Sequence, residues 1–336
     1  MISLVYQKTF CFAIRGDIII DKMKSPVIYF VLPCYNEEEC LEATFLALNK
    51  KYQTLLETKK ISDKSKIVFV DDGSADETWH VIEKLSKGKN VVGIKLAHNV
   101  GHQNALFAGL TYASKNADAS ISMDADLQDD LGVVDGFLEK FSEGYEIVYG
   151  VRGSRKKDTV FKRWTAQGFY KMMKALGVEL VYNAADCRLM SKRAMECLSE
   201  YTEVNLFLRG LVPLIGLKST TVEYERNKRA AGKSKYPLKR MLGLAWDGVT
   251  SFSVKPIKLV RSVGFLLSFV SIVVTIYAIV RWATGQTVSG WTFTICSIWL
   301  LAGMQMVAIG IIGEYIGKIY AETKRRPKYF IEEIIK

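Results

Sequence analysis

The sequence lacks the signatures of several large classes of enzyme and binding protein. Its 6 cysteines are scattered, with no Cys-x-x-Cys pair and no metal-type spacing, so we expect reduced, structural thiols rather than zinc sites or a disulfide framework. No Gly-x-Gly-x-x-Gly follows the first predicted strand, and no Gly-x-x-x-x-Gly-Lys-Ser/Thr occurs. These absences argue against dinucleotide-dependent oxidoreductases and P-loop enzymes.

The first residues also lack the pattern of a signal peptide. Lys8, Arg15 and Asp17 interrupt the apolar run in MISLVYQKTFCFAIRGDIIIDK, and no small-residue cleavage pattern follows. Met23 closely precedes the first convincing strand. We therefore treat residues 1–25 as an N-terminal extension and assign it no function.

Charge is absent from two long segments in the C-terminal third of the chain. Residues 262–280 form an uncharged stretch of about 19 residues, enough to cross a bilayer core of roughly 30 Å. Residues 283–313 form a second, longer stretch, which could cross with tilt. The alternative is two buried helices of a soluble core, but core helices rarely lack charge over such lengths. The sequence therefore predicts membrane attachment.

The remaining chain is basic, with a formal net charge of +11. Lysine and arginine concentrate in 226–261 and 318–328, on the outer sides of the two uncharged segments, whereas the connector carries only Arg281. The positive-inside bias then predicts that the large N-terminal region and the C-terminal tail both face the cytoplasm. Anionic lipid headgroups are a sufficient explanation for the excess positive charge.

Short β-rich runs alternate with helical apolar spacing in the N-terminal two thirds. The runs start at Val27, Lys66, Val91, Ala119 and Tyr145. This alternation predicts a largely parallel sheet covered on both faces, in which ligands bind at the carboxyl ends of the strands. Polar clusters stand at three of those ends, namely Asn36 and Glu37, Asp71 to Ser74, and Asp124 to Asp126.

The stretch ISMDADLQDD places four carboxylates directly after one apolar run. Asp124 and Asp126, two residues apart at the end of a strand, can turn towards one divalent ion, and all-oxygen ligation suits Mg²⁺ or Mn²⁺. Such an ion usually reaches substrate phosphates as well. The alternative is an acidic turn or helix N-cap, with Asp129 and Asp130 favouring the start of the next helix.

A set of motifs in fixed order carries a family resemblance. PCYNEEE, VDDGSADET, HNVGHQNALFAG and DADLQDD are followed by GVRGSR, DCRLMS, RAAGKSKYPLKRML, the two uncharged segments and the ending GEYIGKIYAETKRRPKYFI. Together, over about residues 26–331, they resemble family-2 glycosyltransferases of the GT-A fold. The chain is most similar to the polyisoprenyl-phosphate glycosyltransferases, relatives of dolichyl-phosphate mannose synthase and of bacterial undecaprenyl-phosphate glucosyltransferases.

The resemblance implies an α/β architecture in four parts after the N-terminal extension. These are a Rossmann-like, mostly parallel GT-A domain over 26–225, amphipathic interfacial helices over 226–258, two transmembrane helices over 259–317 and a basic cytoplasmic tail over 318–336. The interfacial part is basic, carries Tyr236, Trp246 and Phe252, and leads directly into the first uncharged segment, as interfacial helices do.

The resemblance also implies roles for individual positions. Nucleotide-sugar binding falls to Pro33, Tyr35, Asn36, Glu37, Asp71, Asp72, Gly73 and Asp124. The divalent metal falls to Asp124 and Asp126, with Gln128 as a further ligand or phosphate contact. Phosphate binding falls to Arg152, Arg155, Arg229 and Lys235, and to Arg188. The catalytic group is Asp126, Asp186 and Arg188.

Asp186 stands where the family pattern places a general base. A phosphate monoester, with a second pKa of about 6, is already mostly ionised at neutral pH and can attack without giving up a proton. Three roles therefore stay open for Asp186, namely a base, a group that orients Arg188 or the acceptor, and a structural residue. For His98 and His102 we favour a polar loop over catalysis.

The implied reaction moves a hexose from a UDP-sugar to a polyisoprenyl phosphate, with glucose as the leading donor sugar and N-acetylglucosamine, galactose or an aminosugar as alternatives. Membrane lipids and a homotetramer are further implied partners, and nucleic acid is not. A non-catalytic membrane scaffold that binds nucleotide sugars is the rival from another class. A processive polysaccharide synthase is disfavoured because both Arg-Trp pairs lack the Gln of Gln-x-x-Arg-Trp, with Val160 and Ala278 in its place.

Overall fold

The computed structural model describes residues 25–126, 128–153, 181, 183–204, 206–225, 250, 255–285 and 290–336. The chain divides into two compact units, each described by itself below. The first comprises Met1–Val160, Val181–Lys233 and Pro327–Lys336, and the second comprises Phe161–Leu180 and Ser234–Arg326.

The first unit contains a mixed sheet with helices packed on it. Its strands are β1 Ile28–Cys34, β2 Lys66–Asp71, β3 Val91–Leu96, β4 Ala119–Ser122, β5 Ile147–Arg152, β6 Ala184–Ser191, β7 Ser219–Tyr224 and β8 Ile331–Ile335. Its helices are α1 Glu38–Glu57, α2 Thr78–Leu85, α3 His102–Asn116, α4 Val133–Ser142, α5 Lys192–Ser199 and α6 Leu208–Leu214.

The eight described strands form one sheet in the order β7-β5-β6-β4-β1-β2-β3-β8. The central strands β4, β1, β2 and β3 are mutually parallel. All seven residues of β1 are buried, as expected for a strand with helices on both faces. The predicted α/β class with a mostly parallel sheet is thus confirmed, and the carboxyl ends of the central strands meet at one edge.

Helix α3 lies unusually close to the sheet because of one glycine. A Cβ at Gly109 would lie 2.4 Å from Val31 Cγ1 and 2.9 Å from Val70 Cγ2, so the helix contacts β1 and β2 at a distance that a side chain would prevent. The close approach fixes where α3 begins, and therefore where His102, its first residue, is placed.

Strand β6 runs antiparallel to β4 and brings a later part of the chain to the same edge. Ser122, at the end of β4, lies opposite Arg188 in the middle of β6. The Ser122 hydroxyl donates to the Asp186 carbonyl oxygen at 2.7 Å. Asp186 is therefore held next to the acidic stretch that follows β4.

The C-terminal residues join the sheet instead of forming a free tail. Residues 318–336 were expected to form a basic cytoplasmic tail; within them, β8 pairs antiparallel with β3. The β-branched residues of IEEII suit an edge strand, and Lys95 reaches Glu332 across the pair at 3.1 Å. Lys328 donates to the Tyr201 carbonyl oxygen, and the Tyr329 ring lies 6.4 Å from the Phe107 ring.

The second unit contains two long apolar helices, α7 Lys255–Ala283 and α8 Trp291–Thr323. Each holds a stretch long and apolar enough to cross a membrane, Lys255–Val274 and Leu300–Thr323, and no described residue in the most apolar 18-residue window of either stretch is buried in the protein. That exposure disfavours the alternative of two core helices. Helix α8 runs six residues past the expected end at residue 317, and most of the predicted interfacial part 226–258 lies outside the described residues.

Candidate active site

Helix α1 contacts and positions the acidic stretch that follows β4. The Thr44 hydroxyl donates to the Ala125 carbonyl oxygen at 2.6 Å, and the Gln128 backbone N–H donates to Asp126 Oδ1 at 3.2 Å. Asp124 and Asp126 are both half-buried, whereas Gln128 is buried. The two carboxylates thus stand on a turn fixed at both ends, with partial access to solvent.

His102 contacts this stretch. Its Nε2 lies 3.3 Å from Asp124 Oδ1, and Gln103 Nε2 lies 3.3 Å from its Nδ1. Burial lowers the pKa of His102, but the hydrogen bond and the charge of Asp124 outweigh burial and leave the pKa raised. The structure therefore brings into the site a residue for which the sequence favoured a plain polar loop.

The turn after β2 anchors the loop that precedes α3. The Asp72 carboxylate accepts hydrogen bonds from the Val100 N–H at 2.8 Å, the Gly101 N–H at 3.0 Å and Asn99 Nδ2 at 3.2 Å. Burial raises the pKa of Asp72, and the two backbone donors oppose that shift. Both carboxylate oxygens of Asp72 thus accept hydrogen bonds from the loop that precedes α3. Asp71, also buried, accepts from the Ser74 N–H at 3.3 Å.

Gly73 permits the tight contact between these two loops. Its φ is +64°, and a Cβ there would lie 2.6 Å from the backbone nitrogen of Asn99 and 2.6 Å from the carbonyl carbon of His98. Only glycine fits such a position without moving the loop. The packing of the two loops is therefore sufficient to require glycine at position 73.

The turn after β1 is tied to the turn after β2. The Asn36 N–H donates to Ser74 Oγ at 3.0 Å, and Asn36 Oδ1 accepts from the Ala75 N–H at 2.9 Å. Pro33 is buried at the end of β1, Glu37 is half-buried, and the Tyr35 side chain is exposed. Tyr35 thus offers an aromatic face at the edge where the strands end.

Asp186 is surrounded by two arginines. Arg209 donates from Nε to Asp186 Oδ1 at 3.0 Å and from Nη2 to Oδ2 at 2.9 Å, while Arg188 donates from Nη2 to Oδ1 at 3.0 Å. Burial would raise the pKa of Asp186, but the charges of Arg209 and then Arg188 reverse that effect and hold the pKa well below its ordinary value. Arg188 itself is only 2% exposed, which makes it a partner of Asp186 and not a surface phosphate contact.

The described residues thus bring together most of the positions that the sequence predicted. Asp124 and Asp126 follow the end of β4, and Asp186 and Arg188 lie on the adjacent strand β6. His102 contacts Asp124 and also acts electrostatically on Asp72 and Asp186. Four predicted phosphate contacts fall outside what can be described: Arg155, Arg229 and Lys235, and the side chain of Arg152.

Arg209 and Gln103 are site residues that the sequence reasoning missed. Gln103 Oε1 accepts the Leu208 N–H at 3.1 Å, so the start of α3 holds the start of α6, the helix that carries Arg209. One signal was present, because Arg209 is the only charged residue in the run LFLRGLVPLIG. A lone arginine in an apolar run is a candidate for pairing with an anionic group, because a charge buried without a partner is costly.

The side chains of this site would supply only part of the coordination shell of a divalent ion. Among the described residues, no three His, Cys, Asp or Glu side chains are grouped to hold a metal. Two carboxylates with all-oxygen chemistry fit an ion that keeps waters and binds substrate phosphates. His102 lies beside Asp124, whose hydrogen bond and charge raise the pKa of the imidazole.

Comparison with known proteins agrees with this geometry. The model of "Glycosyl transferase family 2" matches residues 29–199, and that of "GtrB C-terminal hairpin" matches residues 255–319. The uncharacterized glycosyltransferase YkoT of Bacillus subtilis (strain 168) is 55% identical over 312 residues, 93% of each chain. The prophage bactoprenol glucosyl transferase homolog of Escherichia coli (strain K12) is 37% identical, over 92% of this chain and 99% of that protein.

Among solved structures, the mannosyl-3-phosphoglycerate synthase from Rubrobacter xylanophilus aligns with a TM-score of 0.48 at 18% identity, over 71% of this chain and 75% of that one. The two apolar helices and the hairpin match together indicate association with a membrane. The family match over the sheet, and the identity with relatives along nearly the full length, establish that the chain belongs to glycosyl transferase family 2.

Proposed function

We propose that this chain transfers glucose from UDP-glucose to a polyisoprenyl phosphate at the membrane surface. The observation that carries the proposal is the pairing of half-buried carboxylates, Asp124 and Asp126, with a cationic cluster around Asp186 at one sheet edge. A nucleotide diphosphate bound through a cation suits the first group, and an anionic acceptor suits the second. The name of the Escherichia coli relative, a bactoprenol glucosyl transferase homolog, favours glucose and a polyisoprenoid lipid.

The donor is proposed to lie over the ends of β1 and β2. The exposed Tyr35 ring is suited to stacking on the uracil. Asn36 and Glu37 would border the pocket, with Pro33 and Gly73 shaping its floor. Because Asp72 already accepts three hydrogen bonds from the loop before α3, we assign Asp71 and Asp72 to holding the pocket wall instead of to a direct ribose contact.

Asp124 and Asp126 would hold Mg²⁺ or Mn²⁺ together with the donor diphosphate, and Gln128 would support Asp126 through its backbone N–H. When bound, such an ion stabilises the charge that develops on the leaving diphosphate. His102 orients the Asp124 carboxylate towards the site, as partners of ligating carboxylates commonly do.

The proposed transfer needs no proton acceptor. An ionised oxygen of the lipid phosphate attacks C1 of the sugar and forms the new C–O bond, while the bond from C1 to the diphosphate oxygen breaks and its electron pair leaves with the nucleotide. The acceptor phosphate is already ionised at neutral pH, and the low pKa of Asp186 makes it a poor base. Arg152, Arg155, Arg229 and Lys235 are proposed to neutralise the two anions as they meet.

The membrane hairpin is proposed to begin and end in the cytoplasm. Strand β7 before it and β8 after it belong to the same sheet, which supports placing both flanks of the hairpin on one side of the bilayer. An impermeant maleimide should therefore label Thr284→Cys from outside intact cells but should not label Lys115→Cys, on the exposed end of α3. Light scattering in detergent tests the tetramer implied by the family resemblance.

The central test is transfer itself. Membranes containing the full chain, UDP-[¹⁴C]glucose and undecaprenyl phosphate should yield label in an organic extract, and parallel reactions with UDP-N-acetylglucosamine and UDP-galactose test the alternative sugars. Asp124→Ala with Asp126→Ala should lower the rate by at least about 100-fold. Asp130→Asn, an exposed aspartate of the same stretch, is the matched control. Parental activity in the double variant, or no lipid-linked label with any donor, would refute the proposal.

A further inference from the structure

The two arginines that hold Asp186 differ in their access to solvent. The Arg188 side chain is 2% exposed and the Arg209 side chain is 41% exposed, while Asp186 between them is 13% exposed. Arg188 also donates to the Leu208 carbonyl oxygen at 3.4 Å. Arg188 is therefore a buried structural partner of Asp186, whereas Arg209 is accessible to solvent.

The bonds of Arg209 to Asp186 fix the orientation of its guanidinium. Two parallel bonds to one carboxylate, at 3.0 and 2.9 Å, form a fork that a point charge such as lysine cannot reproduce. The backbone next to Arg209 is fixed as well, because Gln103 accepts the Leu208 N–H. A half-exposed arginine held at both its side chain and its backbone is pre-organised for binding an anion.

The charge balance of the group favours the same role. Arg188 and Arg209 carry two positive charges against the single negative charge of Asp186. The cluster is therefore net positive, next to the carboxylates of Asp124 and Asp126. An acceptor that approaches the sugar as a phosphate monoester needs counter-charge at this point.

We propose that Arg209 contacts the phosphate of the lipid acceptor and that Asp186 serves as its positioning residue. This inference rests on the proposed function for the identity of the acceptor and goes beyond it in naming Arg209. Asp186 holds the guanidinium through both carboxylate oxygens, and the fork presents a fixed cation at the edge of the sheet. The test must therefore separate binding of the acceptor from turnover.

The matched control is Arg193, which pairs with Glu146 at 3.1 Å and is 46% exposed, in the same unit but on α5. Binding of [³H]undecaprenyl phosphate to the detergent-solubilised full chain is measured for the parent, Arg209→Gln, Arg209→Lys and Arg193→Gln. We expect Arg209→Gln to weaken binding by at least about tenfold and Arg209→Lys to weaken it less. Arg193→Gln should bind like the parent, and the affinity of all four for UDP-glucose should agree within about twofold.

The transfer assay supplies a second readout. Arg209→Gln should raise the KM for the acceptor and leave the KM for UDP-glucose unchanged, because it removes an interaction made with one substrate only. The transfer rate of Arg209→Lys should depend on pH between 6 and 8 in the same way as that of the parent, because Asp186 does not accept a proton in the proposed reaction.

The inference about Arg209 is overturned if the parent does not bind undecaprenyl phosphate, if Arg209→Gln binds it as the parent does, or if Arg209→Gln loses both substrates equally. If the parent binds the lipid but transfers no sugar, the proposed function fails while the loss of binding in Arg209→Gln still supports the contact.

Discussion

Asp72 offers the sharpest test of how the site is built, because one buried carboxylate holds a whole loop. It accepts three hydrogen bonds from Asn99, Val100 and Gly101, and the residue is 2% exposed. In Asp72→Asn the amide can accept at one end only and presents an N–H group to the remaining donors. At least one backbone N–H would then lose its acceptor in a partly buried place.

The size of the effect follows from these contacts. Hydrogen bonds to a charged group contribute about 1.5–3 kcal/mol each, and a buried donor left without a partner costs about 1–3 kcal/mol. Burial of the carboxylate, which raises the pKa of Asp72, offsets part of this gain. We expect a loss of about 3 kcal/mol in the free energy of unfolding, which for a unit of about 200 residues corresponds to a fall of about 6–12 °C in Tm.

The assay is thermal unfolding of the detergent-solubilised protein, followed by circular dichroism. Asp118→Asn is the control, because Asp118 is an exposed aspartate that accepts one backbone hydrogen bond, from Val27 at 2.8 Å. Its Tm should fall by less than about 4 °C. The reasoning would be refuted if Asp72→Asn unfolded within about 2 °C of the parent, or no earlier than the Asp118 variant.

Four further predictions follow from single contacts. His102→Gln should weaken Mn²⁺-dependent UDP binding by about tenfold in calorimetry, because it removes the partner that orients Asp124; equal affinity would contradict this. Gly73→Ala should cost about 2–4 kcal/mol in urea unfolding, since its Cβ would meet backbone atoms at 2.6 Å; a cost under about 0.5 kcal/mol would speak against the packing described. Deletion of residues 327–336 should cost on the order of 3 kcal/mol and speed proteolysis near β3, because that strand loses its partner β8; an unchanged digestion pattern would count against it. The folded-state pKa of Asp186 lies below its ordinary value of 3.8, so its stabilisation is present above about pH 4 and is lost as the pH falls. Between pH 5 and 3 the Tm of Asp186→Asn should therefore fall less steeply than that of the parent, and parallel slopes would exclude this assignment.

The central strands and their polar ends could be predicted from the sequence because both depend on local pattern. Strands were expected from Val27, Lys66, Val91 and Ala119, and the structure begins them at Ile28, Lys66, Val91 and Ala119. Apolar, β-branched runs bounded by polar turns specify buried strands. Since the carboxyl ends of parallel strands meet at one edge, the convergence of the Asp-rich turns followed from the same pattern.

The edges of the sheet could not be predicted in this way. Strand β8 is a short IEEII segment, and its ion pair joins Lys95 to Glu332, 237 positions apart. Nothing local in IEEII selects β3 as its partner, because pairing depends on what edge the rest of the fold leaves open. The antiparallel direction of β6, which brings Asp186 beside Ser122, depends likewise on tertiary structure.

The cationic side of the site was hidden for a different reason. His102 and Arg209 carry no motif-like spacing relative to the acidic residues they contact, because His102 lies on α3 and Arg209 on α6. Their roles appear only when Gly109 lets α3 approach the sheet and Gln103 ties α6 to α3. The acidic residues and Arg188 could be predicted from the sequence, whereas the parts played by His102 and Arg209 depended on packing.

This division explains why a chain of net charge +11 concentrates carboxylates after β4. Long-range positive charge is screened within about 10 Å, so local partners matter more to these carboxylates than the net charge of the chain. His102 contacts Asp124, and two arginines hold Asp186. A donor diphosphate brings further negative charge to Asp124 and Asp126, and in the proposed reaction it must arrive with a divalent cation. Metal and donor affinities should then be coupled by the same factor in both directions, so a UDP affinity that is independent of Mn²⁺ would contradict the arrangement.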